Sequence, residues 1–224
     1  MKRRKFLHIV GITTLALLSP ITNNAQTIFY NSKLTAEKYL KKIVTIINSL
    51  KLSGSNLVLK IMDGGEYEFD PNIHYPFDGG IVDPDTNSRV FFHAHRENEY
   101  GHFHTFVEDE NGELIHLLLI SMNKQGEPIG LSTVNRWVTG DKYVKADELK
   151  KHFEKFSIDK KIFKDERVLD FIENIFLGYK KQIFKLFDER DEWISSYVNK
   201  HYNEPFEDRD YEILSSLEIN ILKS

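Results

Sequence analysis

The sequence predicts an α+β fold, an antiparallel β-meander packed against an N-terminal helix and a long C-terminal helix. Three observations predict it. Residues 34–52 place Leu34, Tyr39, Ile43, Ile46, Ile47 and Leu50 at spacings near three and four, the period of an amphipathic helix. Residues 89–135 break into short β-forming segments separated by turn residues. From Ala146 the helical period returns, and its longest stripe runs from 168 to about 198 through Ile172, Ile175, Phe176, Tyr179, Ile183, Leu186 and Phe187. A stripe of that kind is buried against one face of a sheet.

Each element has its own signals. Met1-Lys2-Arg3-Arg4-Lys5, the apolar run of residues 6–18, Pro20 and Ala25 follow the order of a bacterial export signal over residues 1–25. Arg3-Arg4-Lys5-Phe6-Leu7 resembles the twin-arginine core, and a general secretory signal is the alternative. The apolar run is short for a bilayer span, which takes about 20 residues. A single domain is expected over residues 30–200, with a C-terminal tail over 201–224 that has room for one short element. Ser32 or Thr35 caps the first helix and Gly54 stops it. Residues 57–62 form a short apolar run of either type. Residues 63–88, rich in Gly, Pro, Asp and Asn, read as one long loop carrying His74, Asp78, Asp83 and Asp85. Residues 89–96 and 102–107 form a hairpin, Asn111-Gly112 a two-residue turn, 114–122 a third strand and 128–135 a fourth. Residues 146–156 make a short helix, and the charged run 188–192 reads as a solvated helix face.

Composition narrows the function classes. The 224-residue chain holds no cysteine, which excludes disulfides, thiolate ligands and a cysteine nucleophile. Loss of the four basic residues in 1–25 would move the formal charge from -4 to -8, an unsuitable balance for nucleic acid. No second apolar run reaches membrane length. A soluble periplasmic or secreted protein without stable membrane insertion is expected. Phosphate-cradling glycine loops, a nucleophile elbow and an H-E-x-x-H helix are all missing from the sequence.

The chemistry concentrates in one hairpin. Four of the nine histidines, His93, His95, His102 and His104, fall within twelve residues as two His-x-His pairs. If His95 faces His102, then His93 faces His104, and all four imidazoles share one side of the sheet. A two-residue turn at Asn111-Gly112 sets His104 opposite Leu119 and His116 opposite Val107, so His116 is expected to face away. Convergent imidazoles make a metal site, an acid–base or anion site, or a polar sheet surface. For a metal, neutral imidazole suits zinc or iron, and three protein ligands leave a position for water. Glu99 is placed to complete the shell or act as general base, with Glu97 as the lesser alternative, and Arg96 to hold an anionic substrate. His74 is a further candidate ligand or acid–base group. Asn135-Arg136-Trp137 either brings a guanidinium and an indole beside the histidines or contributes Trp137 to the core.

Two resemblances add to this reading. His93-x-His95-x3-Glu99 resembles the first motif of cupins, metal-binding β-barrels. The flanking glycines are missing, and Thr133 stands where the second motif has its ligand histidine. Over about residues 35–195, the ordered set His74-Tyr75-Pro76, His93-x-His95-Arg96, Glu99-x-Gly101-His102-Phe103-His104, Ile120-Ser121-Met122 and Asn135-Arg136-Trp137-Val138-Thr139-Gly140 resembles an uncharacterised bacterial family, a domain of unknown function. That resemblance implies one module and no particular activity.

The leading expectation is an exported enzyme of hydrolase or oxygenase type, with or without a metal, acting on a small polar or anionic substrate. Its candidate residues are Glu99 and Arg96 for catalysis and His93, His95, His102 and His104 for a metal. A non-enzymatic periplasmic protein that binds a metal or small ligand is the alternative, and a partner-binding module with a merely polar histidine surface is a third.

Overall fold

The computed structural model describes residues 21–221, with side chains from residue 34. Residues 1–20 of the expected export signal lie outside the described residues. The chain divides into Met1–Leu34 and Thr35–Ser224, and the second unit holds the whole sheet. Among the described residues, no helix is long and apolar enough to cross a membrane.

Helix α1 (Ile21–Leu52) begins before the expected Ser32 or Thr35 start, since residues 21–34 contain neither Pro nor Gly to end it. It stops at its expected end, where Gly54 takes φ +70° and donates to the Lys51 carbonyl. The ambiguous run is helix α2 (Leu57–Met62): Asn56 caps it, and Leu57, Val58, Ile61 and Met62 are buried at helical spacing.

The meander is present and larger than expected. Strands β1 (Asp70–Tyr75) and β2 (Ile81–Val82) lie inside the stretch read as one loop, followed by β3 (Arg89–Ala94), β4 (Gly101–Glu108), β5 (Leu114–Met122), β6 (Pro128–Val134) and β7 (Ile213–Glu218). The sheet runs β1-β3-β4-β5-β6-β7, all antiparallel, with β2 also paired to β3. Strand β1 pairs only with β3, and an edge position tolerates its Pro71. Strand β7 is a short element within residues 201–224, and it joins the sheet, Leu217 and Ser216 pairing with Leu131 and Ser132 of β6.

One sheet face carries the core. Val90, Phe92, Phe103, Leu118, Ile120 and Leu131 point to the helical side and form one cluster with Ile43, Leu50, Phe171, Ile172 and Phe187. The helices on that side include α4 (Ala146–Lys155), α5 (Glu166–Gly178) and α6 (Lys180–His201). The long C-terminal helix is thus two helices that break at Tyr179, which sits at φ -109°, ψ 13°. The break falls where α5 presses on α1: a Cβ on Gly178 would lie 2.9 Å from Leu40 Cδ2. The stripe nevertheless stays buried across the break, from Ile172 to Phe187. The charged run 188–192 is not simply a solvated face. Arg190 is buried, donates to the Val144 carbonyl at 2.6 Å and pairs with Asp191, which accepts the Ala146 N–H at 2.7 Å. Short helix α3 (Arg136–Thr139) follows β6.

Two outcomes follow. Phe103 is fully buried against Phe171, ring centroids 6.1 Å apart, so Phe103→Ala should cost about 3–5 kcal/mol in urea unfolding. Gly101→Ala should cost about 1–3 kcal/mol, because the backbone of β3 cannot yield to the new methyl. The added Cβ would stand 2.3 Å from Phe92 Cζ and 2.7 Å from the His93 oxygen. Unchanged unfolding midpoints would contradict both packings.

Candidate histidine site

The hairpin closes in a register two residues from the expected one. His93 pairs with His102 and Phe91 with His104, while His95 lies just beyond the end of β3 in the connection. An even slip preserves the parity of the pleat, so His93, His102 and His104 still share a face. The cause is local. Gly101 is the first residue of β4 and packs against Phe92, and Asn98 takes a left-handed φ of 67° in the connection.

His116 is the correction. The turn after β4 is one residue longer than expected: Asp109 N–H donates to the Glu113 carbonyl, and the Asp109 carboxylate accepts the Asn111 and Glu113 N–H groups. Leu117 is an extra residue between the pairs Thr105↔Leu118 and Phe106↔His116. The longer turn and this bulge cancel beyond it, so His104 does face Leu119 as expected. Between them they do not cancel, and His116 turns onto the histidine face, its Nε2 2.8 Å from His104 Nδ1.

Three imidazoles offer ligand atoms to one point: nitrogens of His93, His95 and His102 lie within 4.8 Å of one another. His102 Nε2 is 2.7 Å from His93 Nε2. The opposite nitrogens are already engaged. His93 Nδ1 is 3.1 Å from the Pro71 carbonyl of β1, and His102 Nδ1 meets the Glu99 carboxylate. A carbonyl accepts only, so His93 Nδ1 carries the proton and its Nε2 presents a lone pair; with Glu99 ionised the same holds for His102. In that state two lone pairs face each other with no proton between them. A cation resolves that contact, and the pattern of ligand imidazole backed by carbonyl or carboxylate is the usual outer support of a metal site. At Zn–N distances of about 2.0–2.1 Å a tetrahedral site spaces its nitrogens about 3.3 Å apart, an opening of a few tenths of an ångström from the present contact.

The other candidates are placed as follows. The Glu99 side chain is almost wholly buried; one oxygen meets His102, the other is 3.4 Å from Arg96 Nη1, and the Ser121 hydroxyl also bonds it. Arg96 Nε is 3.0 Å from Glu212, which sequence reasoning missed because nothing in the C-terminal segment marks it. His104 is fully buried and lies outside the group of three; its Nε2 has no hydrogen-bond partner. Glu97 is exposed, and His74 stands with its ring 5.4 Å from that of His93. Trp137 donates to the Tyr211 carbonyl at 3.0 Å and is half-buried, while Arg136 is exposed. Asn135 is buried and ties α3 to the Pro205 and Tyr211 carbonyls.

Burial dominates the electrostatics. It lowers His93 to about 3, helped by neighbouring His102, and lowers His116 to about 3. Burial and adjacent imidazoles hold His104 well below its ordinary value, and burial with His95 and Arg96 does the same for His102. His95 is lowered, again by burial. All three imidazoles of the group are therefore neutral at pH 7, the form a metal requires. Burial raises the Glu99 carboxyl, against the opposing pull of Ser121 and Arg96.

The group opens onto a cavity of about 360 Å³ lined by His93, His95, His104, His74, Arg89, Phe91, Phe106, Trp137 and Glu212 among others. The site thus has a buried, hydrogen-bonded back and an accessible front. The cupin resemblance does not extend to the fold, which is a single antiparallel sheet rather than a β-barrel. At the position of the second cupin ligand, Thr133 bonds the Ser215 hydroxyl at 2.7 Å.

No curated protein and no solved structure matches the chain. A family model does match, over residues 37–219, a span that takes in α2, every strand and every histidine of the site. The chain belongs to the family described as Domain of unknown function (DUF6969).

Proposed function

We propose that His93, His95 and His102 hold a divalent transition metal, zinc or iron, and that the protein is a metal-dependent enzyme of hydrolase or oxygenase type acting on a small polar or anionic substrate. The observation that carries the reading is the convergence of the His93 and His102 Nε2 atoms, 2.7 Å apart, with both Nδ1 atoms committed elsewhere. A three-histidine set that fronts a cavity leaves positions for water and substrate, which favours catalysis over closed storage. The metal would supply Lewis acidity and a water of lowered pKa. Glu99 fixes the tautomer and angle of His102, and Arg96 holds Glu99 in turn, so both act as positioning residues. The Pro71 carbonyl does the same for His93. Export to the periplasm belongs to this proposal and is supported by the basic start, apolar run, Pro20 and Ala25.

Purified protein titrated with zinc or iron(II) should take up about one equivalent, and His93→Gln or His102→Gln should abolish tight binding. Glu99→Gln should weaken it by about 10–100-fold while leaving the stoichiometry unchanged. Uptake below roughly a tenth of an equivalent with every metal tried would overturn the reading. A shell of four protein ligands with no exchangeable water would favour the alternative, a non-enzymatic binding protein.

Acid should destabilise the metal-free protein. The folded values of these histidines lie below the unfolded value of about 6.5, so below that pH the unfolded chain binds more protons than the folded one. Stability should be fully present above about pH 7 and decline as pH falls toward 3, each group contributing up to about 1.4 kcal/mol per pH unit. Urea titrations at pH 7.5, 6 and 5 should show this slope reduced by His116→Gln as well as by His93→Gln. An undiminished slope in His116→Gln would place His116 outside the buried set.

A further inference from the structure

The cavity in front of the histidines is built for more than water and a metal. Among the described residues, five buried side-chain atoms have no hydrogen-bond partner, and four of them, His74 Nδ1, Arg89 Nε, His104 Nε2 and Glu212 Oε1, belong to residues lining this cavity. Glu212 Oε1 still has Arg96 Nε at 3.0 Å, and His74 Nδ1 has the exposed Asp78 carboxylate at 3.4 Å. Arg89 and His104 are left. Arg89 meets Glu108 only through Nη2, at 3.6 Å, and His104 is fully buried with its Nδ1 spent on His116. An unmet buried donor or acceptor destabilises the fold, and a ligand atom that satisfies it removes that cost.

The sheet sets the shape of that ligand. Arg89, Phe91 and His93 occupy alternate positions of β3, so Arg89 and His93 stand about 13 Å apart on one face. Between them Phe91 and Phe106 stack, ring centroids 5.6 Å apart and 23° from coplanar. Trp137, Val138 and Leu114 form the apolar wall. A guanidinium therefore stands at one end, flat apolar surface in the middle, and the histidine group at the other end. Guanidinium matches carboxylate in a two-point fork; Arg89 Nε has no hydrogen-bond partner, and Nη2, which completes that fork, has the Glu108 carboxylate at 3.6 Å as its competitor.

We propose that this cavity binds a small organic carboxylate with a flat apolar body, its carboxylate on Arg89 and its opposite end directed to the His93–His95–His102 group. The orientation of the far end rests on the metal reading above; the carboxylate end does not. The cavity volume of about 360 Å³ suits a molecule of this kind and is too small for a polymer chain enclosed as a whole.

The test uses Trp137, one of the chain's two tryptophans, as reporter in a Trp193→Phe background. 3-Phenylpropionate, 3-phenylpropionamide and acetate are titrated into metal-free and zinc-loaded protein. The acid should shift the emission saturably in both forms and bind at least about tenfold tighter than its amide, with acetate far weaker than either. Arg89→Gln should erase the preference for acid over amide. Glu108→Gln, which removes the carboxylate competing for Arg89, should strengthen acid binding severalfold and guards against an Arg89 variant that fails to fold. Equal binding of acid and amide, a preference that survives Arg89→Gln, or no saturable signal in either form would overturn the proposal. An Arg89-dependent preference in protein that takes up no metal would sustain it while removing the metal reading.

Discussion

Two buried imidazoles meet Nε2 to Nε2 at 2.7 Å, and with Glu99 ionised each directs its one N–H away, which leaves two lone pairs opposed. Everything around the site of this protein serves to hold that contact in place. The β3–β4 register brings His93 opposite His102. Strand β1 lends the Pro71 carbonyl, the hairpin connection lends Glu99, and β5 lends the Ser121 hydroxyl that bonds Glu99. Four strands and a connection therefore converge on the orientation of two rings. Such an arrangement fixes ligand direction before any ligand arrives, which is the condition for a tight and selective site.

The two faces of the sheet divide the work. One carries Val90, Phe92, Phe103 and their neighbours into the helices and supplies the apolar burial that holds the fold. The other carries a row of neutral imidazoles whose burial is itself unfavourable to their charged forms. The alternation of a β-strand makes this possible, because adjacent residues such as Phe92 and His93 serve opposite faces. Gly101 lies at the meeting of the two purposes: its missing side chain lets β4 start against Phe92 and so sets where His102 falls.

Much of this was legible in the sequence because it depends on periodicity. The helical stripes, the bounds of β5 and the sharing of a face by His93, His102 and His104 all follow from spacings of 3.6 and 2. What was not legible depends on single residues or on partners distant in sequence. Strands β1 and β7 have little alternation of their own and exist through pairing with β3 and β6. Gly178, beside the break at Tyr179, packs against Leu40, a partner far away in the sequence. Glu212 and Arg89 drew no notice because an isolated charge in a sequence says nothing of the cavity it lines.

The extra residue at Leu117 has a consequence for how such a site changes over evolutionary time. Were the bulge to close, Phe106 would pair with Leu117, Asn111-Gly112 would make a two-residue turn, and every side chain from Leu114 to His116 would exchange faces. The partner of His104 would then vanish into the apolar layer, with no histidine codon altered. Lineages that differ in whether this bulge forms can therefore differ in the chemistry of their site while their aligned histidines remain identical.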